Sequence, residues 1–168
     1  MRTMLFSGIV LLMAIVFLSS AQEGIGPGKM ITSPIHNDIV GSSVVVKGQL
    51  PSEPGDDQFF WIAVKPLNAV TNWFPQNNAE KQLLIKKDWS FEGNAYLCCD
   101  NGQKFEIALL KLDRDQNQRF RNYVNNSLVN GDWCSITVGH PGANDSVSLE
   151  VIQESKLDWI EVELNKTI

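Results

Sequence analysis

At 168 residues, with 14 basic and 19 acidic side chains and a formal net charge of −5, the chain suits a single domain. That charge disfavours nucleic acid or an anionic membrane surface as a partner. Two isolated histidines, His36 and His140, and three cysteines without C-x-x-C spacing exclude a conventional zinc site, and neither a metal nor a cofactor is expected.

The first segment, 1–21, combines a lone Arg2, an apolar run from Leu5 to Leu18 and the small residues Ser19, Ser20 and Ala21. That order predicts a secretory signal peptide cleaved after Ala21, placing the protein outside the cell or in its extracytoplasmic envelope. The alternative is an uncleaved N-terminal anchor, the only case that puts the chain in a membrane. The run falls short of the roughly 20 apolar residues that a spanning helix needs. Residues 22–29 form a Gly-rich linker. Its Gly24, Gly26, Gly28 and Lys29 imitate a phosphate-binding loop, but Glu23 stands where the first glycine belongs and Met30 where a magnesium-binding hydroxyl belongs.

From residue 30 to 168 the chain reads as one β domain. Short runs rich in Val, Ile, Trp and Phe alternate with Pro, Gly, Asn and Asp, the pattern of antiparallel strands. Strands are expected at Met30–Ser33, Ser43–Leu50, Gln58–Val64, Gln82–Ile85, Trp89–Glu92, Lys104–Leu112, Ser146–Gln153 and Trp159–Leu164. In the last, Ile160, Val162 and Leu164 alternate with Trp159, Glu161 and Glu163, the signature of a half-buried strand. The Ser33-Pro34 step suits a sheet edge. Apolar residues at strand spacing must bury one face, and two packed sheets satisfy that need, with Trp61 as the large aromatic expected between them.

One segment departs from the strand period. Across 113–128, Phe120, Tyr123, Val124 and Leu128 recur at helical spacing, Asp113 and Gln116 are placed as a capping box, and Asn130-Gly131 form a stop. A helix is predicted there, lying across one side or end of the sheets in a crossover connection because its apolar stripe is narrow.

Several landmarks follow one another in a shared order. They are Ile31-Thr32-Ser33-Pro34, Asn37-Asp38, Val40, a Val-rich strand ending at Gly48, Phe60-Trp61-Ile62-Ala63-Val64, Trp73-Phe74-Pro75-Gln76, Asp88-Trp89-Ser90 and Phe105-Glu106-Ile107-Ala108. Over about Ile31 to Leu112 this order resembles the immunoglobulin-like modules common on prokaryotic cell surfaces, in a group with a Trp-aromatic-Pro-Gln motif between two strands. The resemblance implies an antiparallel immunoglobulin-like β-sandwich used for display, adhesion or assembly and without a shared catalytic centre; the one inserted helix at 113–128 and the length after Gly139 depart from the simple module.

Trp73, Phe74 and Gln76 are the candidate ligand-binding residues. Aromatic rings beside a proline and several amides offer a stacking surface with hydrogen-bonding groups, suited to a glycan or an extended peptide. The competing reading has Trp73 and Phe74 plugging the core while Pro75 shapes the turn. Cys98, Cys99 and Cys134 are disulfide candidates. Adjacent strand residues face opposite ways, so either Cys98 or Cys99 is expected to reach Cys134, leaving one thiol over. Asp113, Asp115 and Asn117 open like a calcium loop, but Gln118 and Val124 occupy the positions that need Gly and Glu.

No nucleophile elbow is present, and no carboxylate pair can be assigned from spacing. The expectation is a secreted or envelope-associated, non-enzymatic binding or adhesion module. Its partner would be an extracellular glycan, a peptide or an envelope protein. An extracytoplasmic enzyme or enzyme inhibitor is the first alternative, and a purely structural envelope component that self-associates is the second.

Overall fold

The strand Ser43–Gln49 (β3) buries Val44, Val46 and Gly48 and turns Val45, Lys47 and Gln49 outwards, as its alternating sequence requires. The computed structural model describes residues 28–67, 73–76, 83–97, 100–130 and 154–168. Within them β3 is the centre of a three-stranded antiparallel sheet, flanked by Ile31–Ser33 (β1) and Ser90–Tyr96 (β6). The second sheet has five strands, in the order Asp38–Val40 (β2), Lys156–Leu164 (β8), Lys104–Leu112 (β7), Phe59–Pro66 (β4) and Phe74–Pro75 (β5). Its β2–β8 pair is parallel and the others are antiparallel.

The short edge strands β2 and β5 add to the strands expected from sequence. Residues 1–21, Cys98, Cys99, Cys134, His140 and the expected strand Ser146–Gln153 lie outside the described residues. Among the described residues no helix is long and apolar enough to cross a membrane.

The sheets pack face to face. Ile31, Val44, Val46 and Phe91 from one meet Phe60, Ile62, Val64, Phe105, Ile107, Leu109, Ile160, Val162 and Leu164 from the other. Gly48 pairs with Phe91 across the strands, and a Cβ there would collide with the Met30 carbonyl oxygen and the Phe91 ring. At one flank the Asp158 carboxylate accepts hydrogen bonds from the backbone N–H groups of Met30 and Ile31, at 2.7 Å each, tying β8 to the start of β1.

Two turns direct the chain between these elements. After β1, an edge strand as the Ser33-Pro34 step suggests, the chain changes sheets through a cis Ser33–Pro34 peptide and Asn37, whose φ of 70° is tolerated by a short polar side chain. Before β6, the Asp88 carboxylate accepts from the hydroxyl and the N–H of Ser90, and these bonds hold its carboxyl below the usual carboxylate range.

Strand β7 is buried on both faces except near its ends, which requires a second core outside the sandwich. The helix α1 (Arg114–Asn130) supplies it. Its N-terminus is the expected capping box: Gln116 N–H donates to Asp113 Oδ1 at 2.8 Å, and Asp113 N–H donates to Gln116 Oε1 at 3.1 Å. Such a cap contributes about 1 kcal/mol. Phe120, Tyr123 and Val124 pack onto Trp61, Ala63, Ala108, Leu110 and Leu112 on the outer face of the five-stranded sheet.

Two expectations are corrected here. Trp61 does not lie between the sheets, because Phe60, Ile62 and Val64 take that side of β4 and parity sends Trp61 to the helix. There its ring meets Phe120 edge-on at 5.3 Å, and its Nε1–H donates to the buried Asn117 Oδ1 at 2.8 Å. Among the described residues, the strand that follows α1 is not reached by a crossover: β8 is an antiparallel neighbour of β7 in the same sheet.

Replacing Gly48 with Ala is expected to destabilise the fold by about 3 kcal/mol or more, since the new methyl meets backbone on one side and a packed ring on the other. Chemical denaturation of the purified variant measures this. Asn117→Ala removes the acceptor for Trp61 and is expected to cost about 1–3 kcal/mol by leaving a buried N–H unpaired. An Asn117→Ala variant as stable as the parent would show that bond to be dispensable.

Candidate functional site

Small side chains at the middle of the five-stranded sheet open a space next to the helix. Ala63 and Ala108 are directly paired across β4 and β7, both fully buried, and the Trp73 indole fills the space in the same apolar cluster. Trp73 is 2% exposed, and its buried Nε1–H has no hydrogen-bond partner among the described residues.

A polar group caps this indole. The ammonium groups of Lys65 and Lys156 lie over its ring at 4.9 and 5.7 Å. Between them sits Glu106, 6% exposed, with Oε2 at 3.0 Å from the Lys65 Nζ and Oε1 at 2.6 Å from the Lys156 Nζ. Two cations thus share one buried carboxylate, and cation–π contact with Trp73 adds to their stabilisation.

Continuing along the same face, Lys156 also lies over the ring of Trp159, at 5.0 Å. Trp159 is 43% exposed and is held edge-on by the His36 ring at 5.8 Å. His36 is fixed in turn, because its Nδ1 accepts the Glu161 N–H at 3.2 Å. Asn37, Lys104, Glu161 and Glu163 then line a cleft of about 190 Å³. The assembled surface carries a partly exposed indole with the Lys156 ammonium over its ring and the His36 ring against it, next to the Lys65–Glu106–Lys156 cluster.

A second cleft, of about 200 Å³, lies where the Pro51–Pro54 turn meets Phe60 and Leu157. Met30, Leu50 and Phe60 in its walls belong to the sandwich core, and its lining has no exposed aromatic ring.

The residues singled out from sequence occupy different roles. Trp73 is enclosed, so its faces serve packing rather than an external ligand. Gln76 is also buried: its Oε1 accepts the Tyr96 N–H at 2.9 Å and its Nε2 donates to the Phe74 carbonyl at 3.2 Å. It therefore ties the edge of one sheet to β6 of the other. Phe74 is half-buried on β5. Asp113 serves as the helix cap and Asn117 as the acceptor for Trp61, which accounts for both without calcium. Among the described residues no group of three or more His, Cys, Asp or Glu is placed to hold a metal ion.

Sequence reasoning passed over Trp159, His36 and Lys156. A signal was present in the last strand, where a tryptophan stands on the polar parity beside two glutamates. Its pairing with His36 depends on the parallel docking of β2 against β8, across more than a hundred residues of chain. The chain matches no protein-family model, no curated protein and no solved structure.

Removing the shared carboxylate tests the cap. Glu106→Gln leaves two mostly buried ammonium groups facing each other without compensation, and is expected to cost about 3 kcal/mol. Thermal or denaturant unfolding at neutral pH would detect it, and an unchanged midpoint would mean the lysines pair elsewhere.

Proposed function

We propose that this chain is an exported, immunoglobulin-like β-sandwich that works as a non-enzymatic, envelope-associated or secreted glycan-binding module. In this reading the ligand lies on the outer face of the five-stranded sheet around Trp159. The observation that carries the proposal is the 43% exposed indole of Trp159, oriented by the His36 ring and placed on the same strand as Glu161 and Glu163. An indole face packs against the C–H face of a pyranose, while the polar groups beside it satisfy hydroxyls.

Strand order supports the immunoglobulin-like part. That architecture places its first, second, fourth and fifth strands in one sheet and its third, sixth and seventh in the other; the described residues hold no counterpart of the fourth. Taking β1 and β2 as one first strand divided between the sheets, β1, β3 and β6 correspond to the former and β4, β7 and β8 to the latter. The apolar N-terminal run supports export.

The test is a glycan array probed with the purified protein and with Trp159→Ala. The parent is expected to bind, and the variant to lose roughly tenfold or more in affinity, the equivalent of one stacking contact. Its unfolding midpoint should stay close to the parent's because the ring is largely outside the core. Failure of the parent to bind any glycan, or equal binding by the variant, counts against the proposal.

A further inference from the structure

The cluster beside Trp159 has more donors than acceptors. Lys65 and Lys156 carry two positive charges against the single negative charge of Glu106, with only about a fifth of either lysine side chain open to solvent. Glu161 stands directly across the strand pair from Glu106 but forms no ion pair among the described residues. Among the described residues the two ammonium groups share one paired carboxylate, and holding a partly desolvated cation is costly, so a further anionic partner would be favourable there.

We infer that this face selects glycans bearing a carboxylate: the ring of a hexuronic acid stacks on Trp159 and its carboxylate bridges Lys156 and Lys65. The inference rests on the glycan-binding reading above and adds the chemical class. The Lys156 ammonium already lies over the Trp159 ring, so a sugar seated on that indole brings a ring substituent within reach of the cation. Further along β8, Asn37, Glu161 and Glu163 line a cleft with Lys104 and offer acceptors for hydroxyl donors. A hexuronate presents one carboxylate and several hydroxyls, which matches the cations beside Trp159 and the acceptors further along the strand.

Calorimetric titration of the full protein with oligogalacturonate and with the same oligomer fully methyl-esterified tests the selectivity, with glucuronate and mannuronate oligomers run in parallel. At least one acid form is expected to bind tenfold or more tightly than the ester, with the advantage shrinking as salt is raised. Lys156→Gln should abolish the difference in affinity between acid and ester. That variant keeps the Lys65–Glu106 ion pair, and Lys65→Gln, which keeps the Lys156–Glu106 pair, provides the second variant.

Equal affinity for acid and ester overturns the carboxylate selectivity and leaves the glycan reading standing. So does binding confined to neutral glycans, or an acid preference that survives both lysine substitutions. Preference for a Glu-rich peptide over all the uronates overturns it as well. Absence of binding to any glycan removes both readings together.

Discussion

The five-stranded sheet has to bury both of its faces, and that requirement organises the molecule. Strands β4 and β7 form its centre, and neither has a solvent side over most of its length. Phe60, Ile62 and Val64 are committed to the sandwich, so Trp61 and Ala63 must be covered from the other direction. The helix between β7 and β8 provides most of that cover. The Trp61–Asn117 hydrogen bond sets where it lies, by giving the one polar atom of the largest buried ring a partner on the helix.

The helix covers only part of the outer face. Where its side chains end, Trp73 continues the apolar layer over Ala63 and Ala108, and Lys65, Glu106 and Lys156 close it off. This boundary is where the second core meets water. Lysine suits such a position because its stem packs along apolar surface while the ammonium reaches a carboxylate or an aromatic face. The candidate binding face is thus continuous with the fold: the group that seals the second core also places a cation over the exposed Trp159 ring.

Polar side chains also fasten the two sheets at opposite flanks. Asp158 receives two backbone N–H groups from the start of β1, and Gln76 receives one from the end of β6. Both residues sit beside a tryptophan or a short edge strand on the five-stranded sheet. Backbone groups at an edge need partners, and a side chain reaching across from the other sheet meets that need while fixing how the sheets align. Gln76 therefore looks functional in a linear reading, as an amide beside aromatics, and is structural in three dimensions.

Local rules made much of the framework readable. The alternation in β3 and β8, the unbroken apolar run of β7 and the capping box at Asp113 and Gln116 are periodicities or short-range hydrogen bonds contained within a few residues. Tertiary structure decided which of two buried sides a residue takes. Parity separates Phe60 from Trp61 but does not say which of them faces the other sheet, and a single buried-aromatic assumption misplaces Trp61. It likewise decided that Trp73 is enclosed and Trp159 displayed, because exposure depends on whether a distant element covers the ring. The composition of the binding face was beyond sequence for the same reason: Lys65, Glu106, Lys156 and His36 come from three different strands and a turn, and only the pairing register of the sheet brings them to one surface.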